Sequence, residues 1–361
     1  MGKELTVVRA DQSPGRRRAV PAKDTTRRQT GLLARLRPDL SQVTATVWLL
    51  VTALGMSALA LAWSPISTPR ALPLAGAVTI TTCFTFGLAV RTGGRPLISG
   101  TLALALSAGA VLSGLPILLA AAAMSTAVVA AILAVLATTP AAGFPVVVRE
   151  CVVALSIGVI GAFAVEAYPA QVSMTRFGYV ALGLALLGAM VLVYRLGAGL
   201  SGLGKRGFVM VLTGIILLTV VLAYTEALTR WGPPGLGASI EDLTEMIQST
   251  LGAVPRPVEF LLGIPALAWG VSTRARRRQG WWVCAFGAAG IAAVASSLLD
   301  SAVPLTEAGL AVLYSTVIGL GIGYLIIRAD KFLTGSRGRR GRRLEEAAAH
   351  RPEPGRMRAL L

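Results

Sequence analysis

The sequence predicts an all-α fold: a polytopic transmembrane bundle of about ten helices, with the N-terminus and C-terminus both cytoplasmic. Three observations carry this. The 52 residues from Leu97 to Val148 contain no Asp, Glu, Lys, Arg or His, and a bilayer core of about 30 Å is spanned by about 20 helical residues, so this run crosses twice. Hydrophobic residues make up 54% of the chain and charged residues 14%, with a mean hydropathy of +0.70, which belongs to the membrane class. Finally, the basic residues alternate between loops in the way that the positive-inside rule requires.

Taken in order, residues 1–43 carry ten Lys or Arg against four acids, are punctuated by proline and hold few aromatics. They read as a disordered basic cytoplasmic tail attracted to anionic lipid. Met1-Gly-Lys-Glu-Leu-Thr6 fits the myristoylation pattern, which we read as coincidence in a chain with its own membrane helices. No cleavable signal peptide is expected, because the first apolar run starts after Gln42.

Apolar segments follow at about 44–63, 72–90, 97–114, 117–138, 145–167, 177–195, 207–228, 257–273, 281–299 and 307–327, within a transmembrane domain set at 44–327. The reversal inside the uncharged run falls at Leu112-Ser-Gly-Leu-Pro116. With the N-terminus inside, 30 of the 34 basic residues are cytoplasmic, and only Arg70, Arg176, Arg230 and Arg256 lie outside. Eight acids collect on the outer side: Glu166, Glu226, Glu241, Asp242, Glu245, Glu259, Asp300 and Glu307. Trp63 and Trp231 fall at outer helix ends, and Trp48, Trp269, Trp281 and Trp282 at inner ends, as an aromatic belt.

The long outer loop, 229–256, holds Ile240, Leu243, Ile247 and Leu251 at helical spacing behind Ser239 as N-cap. It reads as a short amphipathic helix that docks over the bundle, or that gates or catalyses. Residues 328–361 form a second disordered basic tail with ten basic residues against four acids. Arg339, Arg340, Arg342 and Arg343 there, with Arg274, Arg276, Arg277 and Arg278 at an inner loop, are read as contacts to anionic lipid headgroups. Phe332 is the sole Phe, Tyr or Trp in either tail, too few for a stacking surface, so nucleic acid is not an expected partner.

No catalytic constellation emerges. The sole histidine, His350, is in the tail, and the three cysteines fall in apolar segments, so no metal site, cofactor, disulfide framework or Ser-His hydrolase is expected. Gly197-Ala-Gly199-Leu-Ser-Gly202 and Gly199–Lys205 imitate phosphate loops, but no strand precedes the first and Arg206 replaces the Ser or Thr needed by the second. A short inner connector is the better reading.

One segment departs from the pattern. Only 14 residues separate Glu259 from Arg274, about 21 Å of helix, short of the bilayer core. Either the bilayer thins or Glu259, with Arg256, enters the outer leaflet. Arg256 and Glu259 are three apart and placed to pair on one face, while Pro265 interrupts the helix and frees the carbonyl of Leu261. Short, proline-broken helices point to binding sites in transporters. The expected substrate-binding residues are therefore Glu259, Arg256 and Pro265, with Glu226, Glu166, Asp300 and Glu307 at an outer mouth. Arg149 and Glu150 are a second candidate, because Glu150 lies within a membrane segment and needs a partner.

Five plus five helices of opposite orientation is also the layout of the drug/metabolite transporter superfamily, and a long loop between helices seven and eight that of membrane peptidoglycan polymerases; the sequence carries no motif of either. The expected function is a transporter or flippase-like permease for an organic or lipid-like solute. The alternatives are a non-catalytic partner in an envelope or secretion assembly, and an outer-face transferase using Glu241, Asp242 or Glu245 as base. The excess of arginine over lysine reads as GC-rich codon bias and places the chain in a bacterial plasma membrane. Reporters fused at Gly202 and Gly280 should report the same compartment, and one fused at Ala238 the opposite one.

Overall fold

In the computed structural model, residues 40–61, 69–198, 200–231, 245–276, 280–334 and 353–360 are described, side chains at 40–42, 197–207, 210 and 225–231 excepted. The helices among them are α1 (Leu40–Leu61), α2 (Ala71–Arg91), α3 (Pro96–Ser113), α4 (Pro116–Leu136), α5 (Phe144–Glu166), α6 (Met174–Val193) continued by a π-turn Tyr194–Ala198, and α7 (Leu200–Trp231). A π-turn Val258–Gly263 then leads into α8 (Ile264–Arg274), followed by α9 (Gly280–Leu298) and α10 (Leu305–Thr334). Eight helices among the described residues are long and apolar enough to cross a membrane. The segments at 200–231 and 258–274 fill the two remaining places in the expected series of ten.

The helix boundaries follow local chemistry. Proline stands in the first turn of α3, α4 and α5, where its missing N–H costs nothing. The expected reversal is the α3–α4 turn: Gly114 ends α3 at φ 64° and donates to Ala110 O, a left-handed position that glycine enters freely. Two readings differ. The connector assigned near 197–206 is mostly helix, because α7 starts at Leu200. The tail assigned from 328 is helical to Thr334, and residues 353–360 lie against the bundle.

Helix α9 is the hub. It packs against α4, α5, α6, α7, α8 and α10, because twelve of its nineteen residues are Gly, Ala, Ser or Cys, and small residues let neighbouring backbones approach from several sides. The closest approach is to the π-turn: a Cβ on Gly263 would fall on Gly290, and one on Gly290 would fall on Gly263. A second core joins α2, α4, α5 and α6. There the Thr81 hydroxyl lies 2.7 Å from Thr126 Oγ1 and 3.0 Å from Tyr168 OH, while Thr79, Thr82 and Thr85 bond back to their own helix. Helix α1 leans on α2, where Trp48 Nε1 donates to Cys83 O at 2.7 Å.

The aromatic-belt reading needs correction at the arginine-rich end. Trp282 is buried, and Trp281 lies under the Arg274 guanidinium, 3.5 Å from ring centroid to Cζ. These indoles pack within the protein. Trp63 lies outside the described residues. Because Gly290 touches backbone, Gly290→Ala should lower stability by about 1–3 kcal/mol through overpacking, seen as a reduced melting temperature in detergent, whereas Gly309→Ala, which meets open space, should not.

Candidate functional site

Polar side chains gather at the two ends of the bundle. At the acidic end, the helix that begins near Pro257 opens as a π-turn, and Ile264 N–H bonds to Glu259 O, five residues back. The widened turn precedes Pro265, which cannot donate to Leu261. It also places Glu259 inward, with 1% of the residue exposed. Ser297 Oγ is placed to donate to Glu259 Oε1 at 3.0 Å. Glu259 Oε2 is buried without a hydrogen-bond partner.

Glu259 lines a pocket of about 360 Å³ between α6, α7, the π-turn and α9. Arg256, Asp300, Ser296, Ser297 and Thr175 supply its polar groups, and Met174, Leu182, Leu222, Val258 and Ala293 its apolar wall. A carboxylate oxygen left without a donor in an apolar interior costs free energy. Within the chain, the Arg256 guanidinium and the Ser315 hydroxyl also act on this carboxylate.

The pocket therefore unites three of the expected residues: Glu259, Arg256 and Asp300. Pro265 acts one step removed, through the broken helix. Arg256 and Glu259 make no ion pair within 4.0 Å among the described contacts, although the guanidinium acts on the carboxylate from further away; the Arg256 backbone N–H donates to Ser315 Oγ at 2.9 Å. Glu166 is exposed at a separate cavity of about 190 Å³ beside Tyr168. Glu307 accepts from Gln248 Nε2 at 2.9 Å, and Tyr314 OH donates to Leu251 O at 2.9 Å, so residues 245–251 of the amphipathic loop sit on the start of α10. The Glu226 side chain, Ser239, Glu241 and Asp242 lie outside the described residues.

The short span between Glu259 and Arg274 is resolved by burial. Both charges end inside protein, so neither needs the lipid to thin. This corrects the lipid-contact reading of Arg274, which is 1% exposed. It donates to Thr138 Oγ1 and Thr138 O, at 2.7 and 3.0 Å, and pairs with Glu353 at 2.6 Å. Arg276 likewise pairs with Asp330 at 2.7 Å. Arg277, Arg278, Arg339, Arg340, Arg342 and Arg343 lie outside the described residues.

The second candidate lies at this arginine-rich end. Glu150 is fully buried. It accepts from Thr139 N at 2.8 Å, from the neighbouring Arg149 at 2.8 Å, and from Arg356 Nη2 at 2.6 and 2.7 Å. Arg91, one of the 30 basic residues counted as cytoplasmic from sequence, is also fully buried, and donates to Leu136 O at 2.7 Å and Gly355 O at 2.9 Å. Nothing in the sequence separates Arg91 from other loop arginines, or marks Glu353 and Arg356 as partners for the buried charges.

The fold and its polar ends define a multi-pass helical membrane protein with a buried carboxylate facing a pocket. Comparison with protein-family models, curated proteins and solved structures gives no match. Among the described residues no group of three or more His, Cys, Asp or Glu could hold a metal ion. Arg274→Met, which strands Glu353 and Thr138, should destabilise the protein by about 3–5 kcal/mol. Arg149→Ala, whose side chain is 62% exposed, should cost less than about 1 kcal/mol. Thermal unfolding of both variants in the same detergent checks the contrast.

Proposed function

We propose that this protein is a permease of a bacterial plasma membrane, carrying or flipping an organic or lipid-like solute whose head group is held in the Glu259 pocket. The observation that carries the reading is the Glu259 carboxylate, buried within a membrane bundle with one oxygen unpartnered. Ionisable groups inside membrane domains are costly, and they mark solute pathways and proton relays. The discontinuous helix supports the same reading, since broken helices near the bilayer interior recur at transporter binding sites.

The lining supports a class of solute. Glu259 and Asp300 favour a donor-rich or cationic group such as a protonated amine, and Arg256 accommodates an anionic group beside it. The apolar wall takes hydrocarbon, and about 360 Å³ suits a small organic molecule or the head of a larger one. With Arg91, Arg149, Arg274 and Arg276 at the opposite end, the positive-inside rule puts the pocket on the outer face.

A second reading, a membrane partner in an envelope assembly, is supported by an apolar groove of about 440 Å³ lined by Met56, Leu59, Ile160, Phe163 and Leu305. It would leave Glu259 without a role. Native mass spectrometry from lipid nanodiscs tests the choice. The permease reading expects a retained solute or lipid that Glu259→Gln loses at a melting temperature no lower than that of the unaltered chain. Equal retention by the variant, or a retained protein instead of a small molecule, overturns it.

A further inference from the structure

Helix α4 ends at Leu136 inside the protein, and its last carbonyls need donors. Three arginines from three separate segments supply them: Arg91 Nε donates to Leu136 O at 2.7 Å, Arg356 Nε to Ala137 O at 3.1 Å, and Arg274 Nη2 to Thr138 O at 3.0 Å. Two belong to the bundle. The third, Arg356, belongs to residues 353–360, which lie outside the helices.

That segment is read in detail by the recess that holds it. Arg91 Nη1 lies 3.1, 2.9 and 3.2 Å from the carbonyls of Pro354, Gly355 and Arg358. Leu360 N–H donates back to Arg91 O at 3.0 Å. Glu353 faces Arg274, and Arg356 faces Glu150. Side chains of both signs and the backbone are thus matched at once. Removing the segment would leave the Arg91 and Arg274 guanidiniums and the Glu150 carboxylate short of partners, which favours entry of water or a charged solute in its place.

We infer that residues 353–360 are a removable plug, an autoinhibitory contact that shuts the arginine-rich end of the bundle against water and solute. The inference rests on the permease reading for what passes once the plug leaves, since the Glu259 pocket lies at the far end of the same broken helix that ends in Arg274. Seating and release then decide whether the route can open toward the arginine-rich side. A segment held by ion pairs and backbone bonds, with Arg356 38% exposed, is released by charge changes that leave the helices intact.

The test uses the full chain in lipid nanodiscs. Hydrogen exchange should find the amides of Arg358 and Leu360 protected, and Arg356→Glu, which sets a second carboxylate against Glu150, should raise their exchange at least roughly tenfold. In parallel, a cysteine at Thr138 should react slowly with a membrane-impermeant maleimide, and at least roughly tenfold faster once Arg356→Glu is added. Because the cysteine removes the Oγ1 acceptor of Arg274, the Arg358 and Leu360 amides of that chain are first shown to stay protected. Native Cys83, Cys151 and Cys284 are buried, so the chain without the added cysteine gives the background. Glu353→Lys, placed against Arg274, is a second release variant should Arg356→Glu fail to fold. Exchange of the segment at free-peptide rates in the unaltered chain overturns the plug, as does release that leaves Thr138→Cys labelling unchanged. If Glu259→Gln leaves solute retention untouched while Arg356→Glu opens the recess, the permease reading fails and the plug stands.

Discussion

Helix α4 holds no charged side chain over Pro116–Leu136 and is enclosed by α2, α3, α5, α6 and α9, so the negative end of its dipole and its terminal carbonyls cannot turn to water. In a low-dielectric interior those carbonyls must be met by donors, and cations are the donors that also offset the dipole. Arg91, Arg274 and Arg356 meet this demand together. Their convergence brings three positive charges to one place, which is tolerable only because Glu150 and Glu353 are drawn in beside them. The ends of α2, α4, α5 and α8 are thereby fixed to one another at the arginine-rich face.

The opposite end is built on a different compromise. Tight contact between Gly263 and Gly290 holds the π-turn against α9, and this turns Glu259 toward the interior beside Ser297. One carboxylate oxygen is satisfied and the other is not. A bundle selected for stability alone would place an apolar residue there. The unsatisfied oxygen belongs to a residue that lines the pocket.

The two ends share one structural element. The segment from the π-turn through α8 carries Glu259 at one terminus and Arg274 at the other, and α8 is buried against α9 and α10. One continuous segment therefore joins the Arg274–Glu353 ion pair to the wall of the pocket. The small side chains of α9 and the glycines Gly319 and Gly323 on α10, which touch Ile264 and Ala268, let this segment lie unusually close to its neighbours.

The sequence by itself determined the class of fold, the order of the apolar segments and the turn at Gly114, while eight of the ten expected segments are long and apolar enough to cross a membrane among the described residues. Those depend on hydropathy, run length and chain-reversal chemistry, which are local and survive without knowledge of neighbours. It also singled out Glu259, because a carboxylate so close along the chain to Arg274 is anomalous in a spanning segment, and Glu150, because it cannot face lipid unpaired. Only the tertiary structure decided where those charges find partners. Arg91 and Arg276 look alike in sequence, yet one caps a buried helix and the other pairs with Asp330. Glu150 and Arg274 take their partners from Arg356 and Glu353, 206 and 79 positions away in the chain. Pairing over such separations is set by how helices pack in three dimensions, and no periodicity or spacing along the chain encodes it.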